Sequence, residues 1–157
     1  MISALDTNIL LDLLIPQARH QQAAKQLLDE AHRQGALIIC EGVYAELGSQ
    51  FDSPQELDGF LRETGIRLEP STPATLQKAG EAWRRYTRRR GASLTCAECG
   101  RTGEVPCPQC GAPLRTRQHV LMDFLIGSHA SLQADCLVTR DRGYYRTYFP
   151  TLRLKGP

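Results

Sequence analysis

The sequence lacks any long hydrophobic run, because no apolar stretch approaches the roughly 20 residues that a membrane-spanning helix requires. Its first residues, MISALDTNILLDLL, lack the basic region and the small-residue cleavage site of a signal peptide. These absences predict a cytoplasmic protein without a membrane partner. In the cytoplasm thiols stay reduced, so clustered cysteines are interpreted as metal ligands before they are interpreted as disulfides.

Several catalytic motifs are also absent. The chain contains no P-loop, no GxGxxG segment and no convincing Ser/His/Asp or Cys/His set for nucleophilic catalysis. With 157 residues, of which 41% are hydrophobic and 23% charged, it has the composition of one globular domain with its own core. Any catalysis by this chain therefore has to use groups other than a phosphate-binding loop or a nucleophilic side chain.

Lysine is scarce, since three of the nineteen basic residues are lysine and sixteen are arginine. Residues 1–83 carry six basic and twelve acidic side chains, a net charge of −6, whereas residues 84–157 carry thirteen and five, a net charge of +8. Arginine favours phosphate through its planar fork of donors. Two interpretations stay open at this point: a solvated basic surface, or a polyanion partner on the C-terminal half.

Short apolar runs alternate with helical patterns along the chain. The predicted strands are residues 2–5, 36–40, 66–70, 136–139 and 151–154. Helical spacing covers residues 18–34, 43–51, 54–64, 73–90 and 120–132, and a shorter helix ends before Pro16. This alternation predicts parallel βαβ units in a three-layer α/β/α domain whose central sheet has about five strands.

The segment from 90 to 117 does not fit that alternation, because it is rich in glycine, proline and cysteine. Its cysteines follow a C-x2-C-x7-C-x2-C spacing and are Cys96, Cys99, Cys107 and Cys110. Two CxxCG turns supply a closed set of four thiolates, the structural form of a zinc site. We therefore predict that residues 95–111 resemble a zinc ribbon inserted into a domain of residues 1–157; disulfides would require an oxidising compartment.

Two acidic residues directly follow predicted strands. Asp6 comes after the first strand and Asp141 after the fourth, and ligands of parallel sheets bind beyond the carboxyl ends of strands. Glu46 and Asp123 lie in the helices that leave the second strand and enter the fourth. Acids that meet without matching bases repel one another, and a hard divalent cation removes that repulsion.

Each acid also has an ordinary structural interpretation. Asp6 is a good N-cap for the helix that follows it. Asp141 could begin a turn, and Glu46 could lie on a solvated helix face. The functional interpretation depends on all four acids standing in the expected places together.

The four acids, in "LDTNILLD", "VYAEL", "MDFLIGSHA" and "LVTRDRGYY", resemble the acidic signatures of PIN-domain nucleases, notably VapC-type toxins. The resemblance spans nearly the whole chain except the cysteine segment. It implies a parallel sheet of order 3-2-1-4-5 and a Mg²⁺ or Mn²⁺ site that hydrolyses RNA phosphodiesters. It also implies roles for named residues: the catalytic acids Asp6, Glu46, Asp123 and Asp141; direct metal ligands among them at Asp6, Asp123 and Asp141; and polar support from Asn8 and Thr139.

Basic and aromatic residues surround Asp141. They are Arg140, Arg142, Arg146 and Tyr144, and we predict that they contact RNA. Arginine beside aromatic rings is the composition expected for binding single-stranded RNA through its backbone and bases. The alternative is that the tyrosines pack the last strand onto the sheet.

Three functions follow from these patterns. The first is a metal-dependent endoribonuclease, with a VapBC-type antitoxin and a homodimer implied by the resemblance. The second is a non-catalytic RNA- or ribosome-binding module that uses the zinc ribbon. The third, a phosphohydrolase with acids at strand ends, is weakened because Asn8 stands where a DxD motif would have its second aspartate.

Overall fold

The computed structural model describes residues 1–16, 19–89, 93–95, 102–113 and 121–156. The strands are β1 (Ile2–Leu5), β2 (Ala36–Ile39), β3 (Ile66–Leu68), β4 (Ser93–Thr95), β5 (Thr102–Glu104), β6 (Cys136–Val138) and β7 (Leu154–Lys155). The helices are α1 (Thr7–Leu14), α2 (Gln21–Gln34), α3 (Glu41–Gly48), α4 (Pro54–Thr64), α5 (Pro73–Arg89), α6 (Leu121–Gln133) and α7 (Arg142–Tyr148).

Five strands form one sheet in the order β3-β2-β1-β6-β7, and every neighbouring pair is parallel. Helices flank this sheet, so the predicted α/β class, the five parallel strands and the implied strand order are confirmed. In the register, Leu5 of β1 pairs with Val138 of β6. The residues that follow these two strands, Asp6 and Thr139, therefore stand side by side at the carboxyl edge of the sheet.

The strands are short and apolar because the sheet is covered by helices. Residues 3–5, 37–39 and 136–138 are all buried, as expected for parallel strands with helices on both faces. Helix boundaries differ from the predicted ones by a few residues at most. The helix predicted over 43–51 covers Glu41–Gly48, because Cys40 is the extended N-cap residue directly after β2.

Helices α5 and α6 pack as an antiparallel pair. At one end, the Gln133 side chain accepts hydrogen bonds from the Thr72 amide at 3.1 Å and the Thr75 hydroxyl at 2.7 Å. At the other end, the rings of Trp83 and Tyr86 each lie 5.5 Å from the ring of Phe124. This pairing holds the first turn of α6, which carries Asp123, beside the last turns of α5.

Strands β4 and β5 form a separate antiparallel pair within the cysteine-containing segment. Across the described ranges, no helix is both long enough and apolar enough to span a membrane.

Candidate active site

Asp6 lies at the carboxyl end of β1 and is 6% exposed. It occupies the N-cap position of α1, but its side chain makes no capping hydrogen bond. Instead its Oδ2 atom accepts hydrogen bonds from Asn8 Nδ2 at 2.7 Å and from Thr139 Oγ1 at 2.6 Å. Asp6 is therefore the N-cap residue of α1 by position, but its carboxylate does not cap the helix and belongs to a polar network at the sheet edge.

That network joins the ends of β1 and β6. Asn8 Oδ1 accepts a hydrogen bond from the Arg140 amide at 3.2 Å, and Thr139 Oγ1 accepts one from the Asp141 amide at 3.0 Å. Asn8 and Thr139, the two residues predicted to support the site, thus lie between Asp6 and Asp141. They fix the direction of the Asp6 carboxylate and the path of the chain that leads to Asp141.

The electrostatic surroundings of Asp6 disfavour its charged form. Burial raises the pKa of this carboxyl from 3.8 to about 6, and the negative charges of Asp123 and Glu46 add to the rise. Hydrogen bonds from the Thr139 and Tyr145 hydroxyls act in the opposite direction but do not compensate. Asp123 and Glu46 are therefore close enough to Asp6 for their charges to act on it.

The remaining acids differ in exposure and contacts. Glu46 is partly buried and accepts a hydrogen bond from the Thr7 hydroxyl, so it does not lie on a fully solvated face. Asp123 is also partly buried, in the first turn of α6. Asp141 is exposed and caps α7, because its Oδ1 accepts a hydrogen bond from the Tyr144 amide at 3.2 Å. Asp141 thus does begin a turn, the first turn of α7, as its structural interpretation predicted.

Asp141 still shares surroundings with the other acids. Burial raises the pKa of the Tyr144 phenol above its usual range, and the charges of Asp123, Asp141 and Asp6 all raise it further. The fold therefore brings Asp6, Asp123 and Asp141 together around the start of α7, and it places Glu46 near Asp6.

Whether these residues fit a divalent cation depends on their chemistry and spacing. Within the described residues, no group of three or more His, Cys, Asp or Glu side chains lies close enough together to hold a metal ion. Mg²⁺ needs only one or two direct carboxylates, since it keeps several of its waters. The donors are carboxylate oxygens, and Asp6 is a buried acid whose pKa is raised first by burial and then by the charges of Asp123 and Glu46. A hydrated cation fits such a site, because it would offset the buried negative charge.

The predicted RNA contacts are placed unequally. Arg146 is exposed and Arg142 is partly buried. The Nε atom of Arg140 pairs with the Asp12 carboxylate at 3.0 Å. Tyr144 is only 6% exposed, which corrects the expectation that it contacts RNA: its ring packs between other rings and offers no face to a base.

Sequence reasoning missed two contributors to this site. Tyr145 is 1% exposed, and its hydroxyl donates to the Asp6 carboxylate. Asp12 has the pattern of a surface residue in sequence, yet it is 6% exposed and holds Arg140. No local sequence pattern indicated the contact of Tyr145 with Asp6 or that of Asp12 with Arg140. Both contacts form only because the chain after β6 packs against the end of β1 and α1.

The cysteine segment has one described CxxC turn, Cys107 to Cys110. The Cys107 amide donates to the Ala112 carbonyl at 2.7 Å, and the Gly111 amide donates to the Cys107 carbonyl at 2.9 Å. Gly111 has a φ of +72°, the left-handed conformation that lets the chain reverse. Cys96 and Cys99 lie outside the described residues.

The turn also stabilises the thiolate of Cys107. Backbone N–H groups of Cys110 and then Gln109 lower the pKa of the Cys107 thiol, and the Cys110 side chain adds to the effect. The thiolate is the form of cysteine that binds metal. The described half of the segment is therefore a hydrogen-bonded turn whose backbone favours the thiolate of Cys107.

Comparisons with known proteins agree with the fold. A sequence model of the family described as PIN domain matches residues 4–150. No curated protein matches the chain significantly. Among solved structures, the chain is similar to VapBC2 from Rickettsia felis bound to a DNA fragment from its promoter, with 20% identity and a TM-score of 0.62 over 99% of this chain and 98% of that chain. It is also similar to VapBC-1 from nontypeable Haemophilus influenzae, with 18% identity and a TM-score of 0.60 over the same shares. At these identities the likeness shows a common fold.

Proposed function

This chain belongs to the PIN domain family, and from that membership we propose that it is a metal-dependent endoribonuclease that hydrolyses RNA phosphodiester bonds. One observation carries the proposal. Asn8 and Thr139 hold the buried Asp6 carboxylate by hydrogen bonds. Burial raises the pKa of this carboxyl, and the charges of Asp123 and Glu46 raise it further. Crowded acids at the carboxyl edge of a parallel sheet suit a cation that binds phosphate.

In this proposal Asp6 and Asp123 would bind Mg²⁺ or Mn²⁺ directly. Asp141, the third predicted ligand, would bind the ion through a water, because no three acids among the described residues lie close enough together to share one ion. The bound ion would lower the pKa of a water and neutralise charge on the phosphate. Thr139 and Asn8 keep one oxygen of Asp6 fixed by their hydrogen bonds. Glu46, held by Thr7, is suited to orient a water or to serve a second ion. No nucleophilic side chain is required.

We also propose that the protein is the toxin of a VapBC-type pair and that its partners are RNA, a protein antitoxin and a second copy of itself. The fold similarity to structures of VapBC complexes supports the antitoxin. The homodimer rests on the family resemblance alone, and the cytoplasmic location is the one expected from the sequence.

The function is tested by cleavage of single-stranded RNA with Mg²⁺ or Mn²⁺ added to metal-depleted protein of known zinc content. Zinc content has to be measured because EDTA would also remove zinc bound to the cysteines. We expect cleavage that requires the added ion. We expect Asp123→Asn to lower the rate by at least about 100-fold, since loss of residues that merely support ligands already costs about 10- to 100-fold.

Asp29→Asn is the matched control, because Asp29 is an exposed acid on α2. It should cleave RNA at the rate of the unmodified protein. Binding of RNA without metal-dependent cleavage would instead support the non-catalytic module, and equal rates for the two variants would refute the assignment of Asp123.

We further propose that residues 95–111 form a zinc ribbon inserted into the domain, with Cys96, Cys99, Cys107 and Cys110 as ligands of one structural zinc. The hydrogen-bonded turn at Cys107 supports this proposal. Elemental analysis of freshly purified, reduced protein should find about one zinc per chain. Cys110→Ser should lose that zinc, whereas Cys136→Ala, which removes a buried thiol of the sheet, should retain it. Protein without zinc under these conditions would refute the ribbon.

A further inference from the structure

The last two turns of α5 present an unusual concentration of positive charge. Four arginines there are exposed: Arg84, Arg85, Arg88 and Arg89. Throughout the described ranges, no Asp or Glu forms an ion pair with any of them. Basic residues commonly stabilise the negative end of a helix dipole, but α4 has a single one, Arg62, in its last turn. Four unpaired arginines exceed what the dipole explains.

This end of α5 lies beside the candidate active site. The rings of Trp83 and Tyr86 contact Phe124, the residue after Asp123, at 5.5 Å each. Because α5 and α6 are antiparallel, the arginines and Asp123 are at the same end of the pair. The opposite end is held by the hydrogen bonds of Gln133.

Helical spacing divides the four arginines into two rows. Arg85 and Arg89 are four residues apart and share one side of α5. The charge of Arg89 lowers the pKa of the Tyr148 phenol, although burial has the larger and opposite effect. The ring of Tyr148 lies 6.0 Å from that of Tyr86 and is only partly buried. Arg89 therefore lies near Tyr148 of α7, and Arg85 lies one turn earlier on the same side of α5.

We propose that Arg85, Arg89 and Tyr148 form a surface, the α5–α7 surface, which binds the single-stranded RNA that flanks the scissile bond. The inference rests on the proposed nuclease function and specifies where its substrate continues. Arg85 and Arg89 are separated along the helix by about 6 Å, so each can contact its own phosphate of an extended strand. The exposed part of the Tyr148 ring offers a base a stacking face, which an acidic protein segment would not use.

The test measures RNA affinity in an Asp6→Asn background, so that the RNA stays intact. A short fluorescent single-stranded RNA is titrated with protein at several salt concentrations. We expect Arg85→Ala with Arg89→Ala to raise Kd by about 10-fold or more at low salt. We also expect the slope of log Kd against log salt to fall by about 1.4, because each phosphate contact on a single strand contributes about 0.7.

Arg33→Ala with Arg62→Ala is the matched control. Arg33 and Arg62 are exposed and occupy the last turns of α2 and α4, so the control removes the same charge from positions near helix ends. Both helices lead directly into strands, β2 and β3, so these arginines lie at the edge of the sheet opposite to Asp6. This pair should leave Kd and the salt slope nearly unchanged.

Tyr148→Leu separates stacking from charge. It should raise Kd by about 5-fold or more with no change in the salt slope, because the lost contact is uncharged. The proposed role of the α5–α7 surface would be overturned if the Arg85/Arg89 variant had the same Kd and salt slope as the Arg33/Arg62 variant. It would also be overturned if a protein with all three substitutions, at Arg85, Arg89 and Tyr148, kept its affinity for RNA. Failure of the nuclease itself would appear separately, as absence of metal-dependent cleavage by the unmodified protein.

Discussion

Replacing Asp6 with asparagine should strongly reduce RNA cleavage and, in metal-free buffer at about pH 7.5, make the protein more stable. The two effects have one cause. At this pH Asp6 is ionised in a buried site beside two other acids. This arrangement favours a bound cation and lowers the stability of the folded protein when no cation is bound. The rise in pKa from 3.8 to about 6 corresponds to a penalty of about 3 kcal/mol above that pH.

Asparagine keeps the acceptor oxygen for Asn8 and Thr139 but carries no charge. Its amide group has to find an acceptor, which reduces the gain. We therefore expect an increase in the free energy of unfolding of about 1–3 kcal/mol, seen as a higher Tm. Cleavage should fall by at least about 100-fold, because the variant removes a proposed direct ligand.

The pH dependence has a definite sign. The Asp6 carboxyl has a higher pKa in the folded than in the unfolded chain, so the folded state binds this proton more tightly. The unmodified protein should therefore lose stability relative to Asp6→Asn as the pH rises from 3.8 through about 6, and the difference should level off above that. Added Mg²⁺ should raise the Tm of the unmodified protein more than that of the variant.

Asp12→Asn is a stringent control, because Asp12 is equally buried at 6% exposure and lies in α1, the helix that Asp6 precedes. Its carboxylate pairs with Arg140, however, at 3.0 Å. Removing the charge of Asp12 leaves the Arg140 guanidinium without that partner, so the free energy of unfolding of this variant should fall by about 1 kcal/mol. The loss is modest because Arg140 is partly solvated. A stability change of the same sign in both variants would contradict the role assigned to Asp6.

Replacing Phe124 with alanine should cause the largest loss of stability among the side chains around the site. Phe124 is 0% exposed, and its ring lies between 5.2 and 5.5 Å from four other rings. These rings belong to Trp83, Tyr86, Tyr144 and Tyr148. The substitution creates a cavity where α5, α6 and α7 meet, and we expect a cost of about 3–5 kcal/mol by denaturant unfolding.

Phe60→Ala supplies the comparison, since Phe60 is a partly buried ring on α4 that pairs with Phe51 at 5.5 Å. Phe60→Ala should lower the free energy of unfolding by less than Phe124→Ala does, because the Phe60 ring is already partly exposed to water. It should also leave RNA cleavage by the folded protein unchanged, whereas Phe124→Ala should reduce cleavage in the fraction that still folds. Equal costs for the two variants would show that Phe124 is not the centre of this packing.

Sequence patterns predicted the sheet because strand and helix periodicity are local properties. Apolar runs at 2–5, 36–39 and 136–138 became the three central strands, and their order agreed with the one that the family resemblance implied. The same reasoning placed Asp6 at the carboxyl edge of the sheet, because the residue that directly follows a parallel strand lies at that edge.

Contacts between distant parts of the chain were decided only by the tertiary structure. Arg140 and Tyr144 have the composition of RNA contacts, but Asp12 of α1 and the ring of Phe124 engage them in the folded molecule. Tyr145 reaches Asp6 for the same reason, because the pairing of β1 with β6 brings α7 against the end of β1.

The sequence by itself thus determined the alternation of strands and helices, the acids that end the strands and the cysteine spacing. Each of these is carried by neighbours within a few residues. The tertiary structure decided which charges are buried, which arginines of the described ranges stay exposed without an acidic partner, and which rings are closed off from solvent. Burial and charge pairing depend on the approach of segments more than a hundred residues apart, such as α1 and the turn after β6, and no local pattern encodes that approach.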